Sequence, residues 1–283
     1  MDGFLYINKE KDWTSCDVCN KIQSMFHLKK VGHIGTLDPF ATGLLIVTLG
    51  KGTKAGRFLE DASKEYIATL VLGKKTSSGD LTGEVVQEKE IPELSLDKIK
   101  QVFASFIGEY HQIPPMTSAI KIDGVKLYSL AHQGLEIKRE PRQVWINSLE
   151  LLSFKDNVIE FKANVSKGTY IRTLGEDIAE KLNTVGYLSS LTRTKIGDAS
   201  ITESKKISDI KETDLISITQ GLSYLHPIVV EDKDIERIKS GVSLRFDKIK
   251  NCDIIFLVDK NNNPLAIYER SQNDVFKCLR GLW

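Results

Sequence analysis

The feature that most constrains this fold is a continuous apolar run, LLIVTLG, at residues 44–50. A run of strand length without polar alternation is typical of a strand buried on both faces, as strands are at the centre of a sheet. The chain has the core material for such a sheet, because 41% of its 283 residues are hydrophobic and 27% are charged. The run therefore predicts a central strand.

Three helices are predicted from periodicity and capping. The first begins at Thr14 or Ser15 and places Val18, Ile22 and Met25 on one face. The second is capped by Ser95, ends at Gly108 and repeats its apolar residues at helical spacing: Ile99, Val102, Phe103 and Phe106. The third follows the segment SKGTYIR and has three apolar residues on one side: Leu174, Ile178 and Leu182.

Two further strands and a loop complete this part of the pattern. KEYIATLVLG (64–73) is rich in β-branched and aromatic residues, and FKANV (161–165) alternates as a half-buried strand does. KKTSSGDLTG (74–83) is small and polar, which indicates a loop.

The chain is predicted to have two domains and one insertion. Composition shifts near His226 and Pro227, after which short strand-like runs are divided by the turn NNNP; we expect a first domain at 1–226 and an all-β appendage at 227–283. Residues 110–142 carry three prolines, two glycines and five basic residues, which predicts a mobile, basic insertion on the surface.

Composition also narrows the function classes. The net charge of +1 argues against holding nucleic acid by bulk electrostatics alone. No stretch approaches 18 uncharged apolar residues and the N-terminus lacks the pattern of a signal peptide, so we expect a cytoplasmic protein with no membrane contact.

Cys16 and Cys19 have the spacing of half a zinc site. The other two cysteines, Cys252 and Cys278, are poorly spaced to complete it, so we expect a helix with one buried thiol and no metal.

Asp38 is the single charged residue among the first twenty positions of VGHIGTLDPFATGLLIVTLGKGT (31–53). An aspartate before proline often starts a turn, and a structural turn is one reading of it. A carboxylate among apolar residues is costly to bury without a cation, however. Arg172, after the glycine turn of SKGTYIRT, is the best candidate partner, whether for catalysis or for structure alone. On its own, Tyr66 on its strand is more typical of a core or rim aromatic than of a catalytic residue.

These residues carry a family resemblance. GHIGTLDPFATGLL (32–45) resembles the catalytic motif of the TruB family, the stand-alone tRNA pseudouridine-55 synthases. Four further blocks match that family in order: KEYIATLVLG, QIPPMTSAIKIDGVKLYSLAHQG, VSKGTYIRTLGEDIA and LSSLTRTKIG. The resemblance covers about residues 3–200. It implies an α+β pseudouridine synthase fold with a mixed, largely antiparallel central sheet, and a small β-rich, PUA-like RNA-binding domain at the C-terminus.

The resemblance also implies residue roles. Asp38 would be the nucleophile, Arg172 its ion-pair partner, and Tyr66 the platform for a uracil flipped out of the T loop of tRNA. Five further residues would contact RNA or line the pocket: His33, Lys64, Leu191, Lys121 and Arg142. One carboxylate suffices for this isomerisation, so no cofactor and no metal is expected, and the partner is the T-arm of tRNA bound by a monomer.

Four positions depart from the family pattern: Ile34, Thr117, His132 and Thr192. None belongs to the implied catalytic set, and they bear on RNA contacts alone. Two alternatives stay open. One is a guide-RNA-dependent relative in the same superfamily, against which Ala41-Thr42-Gly43 and the lack of long basic extensions argue. The other is a non-catalytic tRNA-binding or tRNA-folding module, which would not need Asp38.

Overall fold

The computed structural model describes residues 1–116, 118, 137–247, 249 and 252–283, and the backbone of 121–122 and 125–126. Within those residues the α-helices are α1 Ser15–Met25, α2 Gly52–Ala55, α3 Arg57–Glu60, α4 Leu96–Ala104, α5 Ile171–Lys181, α6 Ile218–Gly221 and α7 Asp232–Lys239. The strands are β1 Gly3–Lys9, β2 Val31–Ile34, β3 Thr42–Leu49, β4 Lys64–Leu72, β5 Lys74–Thr76, β6 Val85–Glu88, β7 Gly108–Gln112, β8 Lys121–Ile122, β9 Val125–Lys126, β10 Arg142–Lys155, β11 Val158–Val165, β12 Gly186–Ile196, β13 Ala199–Ser200, β14 Ile228–Val229, β15 Leu244–Arg245, β16 Ile254–Val258, β17 Pro264–Gln272 and β18 Val275–Gly281.

A nine-stranded sheet forms the centre of the molecule, in the order β1-β3-β12-β4-β11-β10-β7, with β2 on β3 and β13 on β12. Its pairings are antiparallel except for the parallel contact between β3 and β12. The predicted α+β architecture with a mixed, largely antiparallel sheet is thus confirmed, and β3 lies inside the sheet as the apolar run indicated.

The alternating residues of β3 enter two different hydrophobic cores. Leu45 and Val47 pack on the side covered by α1, α4 and α5. Leu44 and Ile46 pack on the opposite side, against α2, α3 and part of the C-terminal sheet. All four side chains are fully buried. The strand lacks polar alternation because neither of its faces meets water.

The three predicted helices are present, with small differences at their ends. Thr14 caps α1 in a reciprocal capping box with Asp17, and Ser95 caps α4 by accepting from the N–H of Lys98. Met25, predicted on the buried face of α1, is 37% exposed. The second helix ends at Ala104 rather than Gly108, which begins β7 instead. A glycine with φ of +100° suits that change of direction.

Two loop predictions need correction. Residues 74–76 of the predicted loop form β5, which pairs with β6 in a hairpin whose second strand is exposed along its length. The predicted insertion at 110–142 begins and ends inside the central sheet, because residues 110–112 belong to β7 and Arg142 pairs with Gln112. The described residues therefore restrict an insertion to the stretch between those two strands.

The C-terminal residues form a second, five-stranded sheet in the order β14-β16-β17-β18-β15. The three strand-like runs and the turn predicted from NNNP are confirmed in β16, β17 and β18. The expectation of an all-β segment is wrong in one respect, because α7 packs on this sheet. The unit is β-rich with one helix, as a PUA-like module is expected to be.

The second sheet is joined to the first by what we call the apolar seam. Four fully buried residues of the C-terminal sheet belong to the same core as β1 and β3 residues: Phe256, Val258, Ile267 and Leu282. A separate core, with Tyr268 and Phe276 at its centre, fills the other side of that sheet. The boundary predicted at 226 stays a prediction, but the two parts share a core across it.

Among the residues that the structure describes, no helix is both long and apolar enough to cross a membrane.

Candidate active site

A cleft of about 710 Å³ opens beside the central sheet, on the side of α5. Its walls come from separate parts of the chain: the turn after β2, the end of α3, the start of β4, the start of β10, the turn before α5, and β12. The volume lies within the range of sites that enclose small ligands or a single nucleotide. Asp38 is one of the polar residues of these walls, and Arg172 beside it is another.

Asp38 lies in a tight turn between β2 and β3. The turn follows Gly35, whose φ of +65° favours glycine, and closes where Ala41 donates its N–H to the carbonyl of Asp38 at 3.1 Å. The turn expected from Asp-Pro is therefore present. The carboxylate of Asp38 does not close it, however, but extends toward Arg172.

The residues on either side of Asp38 are held by buried side chains. Ser15 Oγ accepts from the N–H of Leu37 at 2.9 Å and donates to its carbonyl at 3.3 Å. Lys9, which is fully buried, donates from Nζ to the carbonyl of Pro39 at 3.3 Å. These hydrogen bonds fix the backbone around Asp38 without using its carboxylate. The carboxylate therefore remains available to Arg172 and to the cleft.

Arg172, the second residue of α5, holds Asp38 with two bonds. Its Nε lies 2.9 Å from Oδ2 and its Nη2 donates to Oδ1 at 3.3 Å, a bidentate geometry. Its Nη1 donates to the carbonyl of Ser78 at 2.9 Å and lies 3.5 Å from a carboxylate oxygen of Asp80. The ion pair predicted from sequence is thus present, with Asp80 as a second anion behind it.

The two carboxylates differ in what surrounds them. Asp80 is 4% exposed and accepts hydrogen bonds from Ser78 and Thr82, so donors of its own loop stabilise its charge. The Asp38 side chain is 34% exposed toward the cleft. Burial raises the pKa of Asp38 above its ordinary value, and the Arg172 guanidinium opposes part of that rise. Asp38 is therefore the accessible member of the pair, and its partial burial disfavours the ionised form.

Tyr66 and Leu191 supply the apolar wall beside Asp38. They lie on neighbouring strands, β4 and β12, and both contribute to the main core while lining the cleft. Tyr66 is 9% exposed and Leu191 is 6% exposed. A ring in this position offers a flat face for a planar base, and the leucine limits the space on the same side.

Two basic groups near the cleft have lowered pKa values. Lys64 donates from Nζ to the carbonyls of Glu60 and Ala62, and burial lowers its pKa to about 8, with Arg193 adding to the effect. Burial also lowers the pKa of His33, whose Nδ1 is buried and has no hydrogen-bond partner among the described residues. Arg142 lines the opposite wall from the start of β10.

Arg193 fixes the two ends of the Asp38 turn. It is 1% exposed and donates from Nη2 to the carbonyl of Gly35 and from Nε to that of Leu44, both at 2.8 Å. Gly43, with φ of +102°, allows the close approach of β3 and β12, because a Cβ there would lie 2.3 Å from the carbonyl oxygen of Arg193. This motif glycine therefore serves strand packing and not contact with a ligand.

The structure brings together all but one of the site residues named from the sequence. Seven of them line this cleft: Asp38, Arg172, Tyr66, His33, Lys64, Leu191 and Arg142. The Lys121 side chain lies outside the described residues. Of the departures from the family pattern, Ile34 is buried in the core and Thr192 Oγ1 bonds to Thr42 Oγ1 at 2.9 Å. Thr117 and His132 lie outside the described residues.

Sequence reasoning missed several residues that build the site. Asp80 was assigned only to a polar loop, and Lys9 and Gln112 were not singled out. The signal for Asp80 was an isolated acid after glycine in a run of small polar residues, SSGDLTG. Such a signal becomes specific only when the fold shows that Arg172 reaches it.

The cysteines lie apart from the cleft. Cys19 is buried in the main core and Cys16, on the same helix, is exposed, which confirms the prediction of a helix with one buried thiol. In the described part of the chain, no three His, Cys, Asp or Glu side chains are grouped as a metal site would require.

Comparison with known proteins identifies the sequence family. Residues 23–171 match the family described as TruB family pseudouridylate synthase (N terminal domain). Curated relatives named tRNA pseudouridine synthase B include those of Mesoplasma florum and Clostridium tetani. The first is 37% identical over 99% of this chain and 97% of its own length, and the second is 40% identical over 90% and 91%.

Solved structures share the fold. A crystal structure of a Cbf5-Nop10-Gar1 complex contains a chain with a TM-score of 0.74 and 24% identity, covering 96% of this chain and 79% of that one. The archaeal box H/ACA sRNP Nop10-Cbf5 complex gives a TM-score of 0.74 at 21% identity, covering 99% and 86%. At these identities the likeness concerns the arrangement of elements.

Proposed function

Since the chain belongs to the TruB family of pseudouridylate synthases, we propose that it converts uridine 55 in the T loop of tRNA to pseudouridine. The observation that carries the proposal is the bidentate Asp38–Arg172 pair at the base of the cleft, beside Tyr66. A paired carboxylate next to an aromatic wall suits a reaction that needs one nucleophile and a bound planar base.

The target base has to leave the tRNA loop to reach Asp38. Extrusion of a base from its stack costs a few kcal/mol, and stacking on an aromatic ring in the protein offsets much of that cost. We assign this platform to Tyr66, with Leu191 closing the apolar side. Shape recognition of a folded loop fits the chain's net charge of +1 better than binding through many phosphates.

The carboxylate of Asp38 then acts as the nucleophile, either at C6 of the base or at C1′ of the ribose, and the bond that it forms is broken again before the product leaves. The bond between N1 of uracil and C1′ of ribose breaks, the detached base turns, and a bond forms between C5 and C1′. C5 loses its proton, N1 ends protonated, and Asp38 is regenerated. Arg172 aims the carboxylate and favours its ionised form against the effect of burial, while the cleft excludes much of the water that would trap an intermediate.

We assign the remaining contacts to RNA binding. Lys64, Arg142 and His33 at the cleft face the loop that carries the target base, and Lys121 extends the same basic surface. The C-terminal sheet, with the 10 Lys/Arg of residues 227–283, contacts the acceptor-stem side of tRNA. Every residue assigned to catalysis comes from one chain, so we expect an active monomer.

An unmodified tRNA transcript tests the assignment directly. The purified protein should form pseudouridine at position 55 with no other RNA or protein present, as mapped by nuclease digestion and mass spectrometry. A transcript with cytidine at position 55 should give no product. Product that appears only when a guide RNA is added would favour the guide-dependent alternative, and no product with a folded protein would overturn the proposal.

Asp38→Asn tests the nucleophile. The amide is nearly isosteric and still accepts a hydrogen bond from Arg172, so tRNA should bind while product falls to background. Asp97→Asn, at an exposed position on α4, is the matched control and should keep full activity. Substantial pseudouridine formation by Asp38→Asn, with deamidation to Asp excluded, would return Asp38 to a structural role and favour a binding module.

A further inference from the structure

Gln112 ties the edge strand β7 to the start of α5. Its Nε2 donates to the carbonyl of Tyr170 at 3.0 Å, and its Oε1 accepts from the N–H of Tyr170 at 2.8 Å. The residue is the last of β7 and is 1% exposed. One carboxamide thus satisfies both backbone groups of one residue, as a neighbouring strand would.

Tyr170 forms the corner at which the chain enters α5. It is the N-cap residue of α5 and makes no side-chain capping bond, although its carbonyl accepts the first helical bond, from Leu174 at 3.0 Å. Gly168, two residues earlier, has φ of +80° and open space where a Cβ would lie. Among the residues that the structure describes, the Gln112 carboxamide is the side chain that holds both backbone groups at the start of this helix.

The position of this corner determines where Arg172 points. Arg172 follows Tyr170 by two residues, and its guanidinium has to meet Asp38 and the carbonyl of Ser78 within 2.9 to 3.3 Å at the same time. Further along α5, Asp177 accepts a hydrogen bond from Tyr110 of the same strand β7. Since β7 holds the helix at both points, loss of the Gln112 bonds should let only its first turn move.

We propose that Gln112 is a positioning residue, which fixes the Tyr170 corner so that Arg172 meets Asp38 in the bidentate geometry. The inference rests on the proposed function, because it assigns Gln112 a part in the same reaction. It acts through backbone and touches neither substrate nor nucleophile. Its effect should therefore lie in the rate of the bound complex and not in the affinity for tRNA.

Gln112→Met removes both bonds and keeps the length of the side chain. The single-turnover rate with saturating tRNA should fall about 10- to 100-fold, as expected for a displacement of up to ~1 Å at a catalytic pair. The Kd for tRNA should stay within about threefold, since each base and phosphate contact is retained. Gln101→Met, an exposed glutamine of α4, should match the wild type in both quantities.

Gln112→Glu tests the role of this residue through the pH dependence of the rate, which would not change if Gln112 only stabilised the fold. A carboxyl group can accept from the N–H of Tyr170 in either state, but it donates to the carbonyl of Tyr170 only when protonated. Burial raises the pKa of such a group. The rate of Gln112→Glu should thus approach that of the wild type at acid pH and fall to that of Gln112→Met as pH rises. The wild type should lack this step.

Two further measurements separate the outcomes. In an Arg172→Lys background, Gln112→Met should add little, because both changes act on one pair. A wild-type saturating rate in Gln112→Met, or a loss that only follows the folded fraction measured by circular dichroism, would overturn the inference. If Gln112→Met does not fold, the pH step of Gln112→Glu decides alone. Failure of the wild type to modify position 55 would instead overturn the proposed function.

Discussion

The cleft and the apolar seam adjoin different hydrophobic cores and are built in opposite ways. In the cleft, Asp38, Arg172 and Asp80 form a charged cluster that is held largely out of water. At the seam, Phe256, Val258 and Ile267 pack fully buried against apolar residues of the first sheet. Burial of charge is at best weakly stabilising, whereas burial of apolar surface is the main favourable term in folding. We therefore expect the seam to contribute to stability and the cleft to contribute to activity.

The largest effect expected on stability comes from the seam. Phe256→Ala should lower the free energy of unfolding by about 3–5 kcal/mol, because it leaves a cavity in a core shared by the two sheets. The single-turnover rate per folded molecule should stay near that of the wild type. Urea denaturation would measure the first quantity, with Val229→Ala, 60% exposed in the same sheet, as the control. An unchanged stability would show that the sheets do not depend on this contact.

The next largest effect is expected on the single-turnover rate, from a substitution in the cleft. Arg172→Lys keeps the charge but cannot hold Asp38 with two parallel bonds, so the single-turnover rate should fall roughly 100-fold while tRNA affinity stays within about threefold. The exposed pair Arg245–Asp247, at 2.7 Å, offers a control, since Arg245→Lys should leave the saturating rate unchanged. A wild-type rate in Arg172→Lys would mean that charge alone suffices.

Substitutions at Tyr66 should have an intermediate effect and separate its ring from its hydroxyl. Tyr66→Leu should weaken the flipped complex by about 1–3 kcal/mol, the value of one base–aromatic stack. Tyr66→Phe keeps the ring, and on the stacking account it should retain most of the saturating rate. Rapid-quench assays at saturating tRNA would compare the two. An inactive Phe variant that still binds tRNA would identify the hydroxyl as a proton carrier.

The smallest effect concerns the pH dependence of binding. Because the pKa of Lys64 is lowered to about 8, its charge is present below that pH and is lost as pH rises through it. The affinity for tRNA should therefore fall a few-fold across this range, as expected for the loss of a single cationic contact. Lys64→Met should remove this part of the pH dependence. An identical profile in Lys64→Met would exclude the lysine from RNA contact.

What the sequence could predict followed from periodic apolar patterns. The strands β3, β4 and β11 and the helices α1, α4 and α5 each bury one face or two, so their spacing is visible in the residues. Several elements of the fold were not predicted from the sequence, and two of them are largely exposed. Helix α7, DKDIERIK, is mostly charged and has one buried residue, Ile238, and β6 has no buried residue, so the apolar signal of each is weak.

The residues of the candidate site also fall into two groups, those that a sequence motif indicated and those that only the fold shows. Asp38, Arg172 and Tyr66 were found because their motifs resemble those of a known family. Asp80 and Gln112 lie 92 and 60 residues from Arg172 in sequence, and only the fold shows that they meet its helix or its guanidinium. Contacts of this kind leave no local pattern in a single chain.

The most direct test of the contrast between cleft and seam is the free energy of unfolding of Asp38→Asn at neutral pH. The raised pKa of Asp38 means that the folded state disfavours its ionised form, so stability is lost as pH rises through that pKa. A neutral isostere removes this cost, and the carbonyl of Ser78 and the carboxylate of Asp80 still contact the buried Arg172 guanidinium. The account predicts an unfolding free energy no lower than that of the wild type, in a protein that binds tRNA and forms no pseudouridine. A loss as large as that of Phe256→Ala would contradict it, because Asp38 would then be a structural residue.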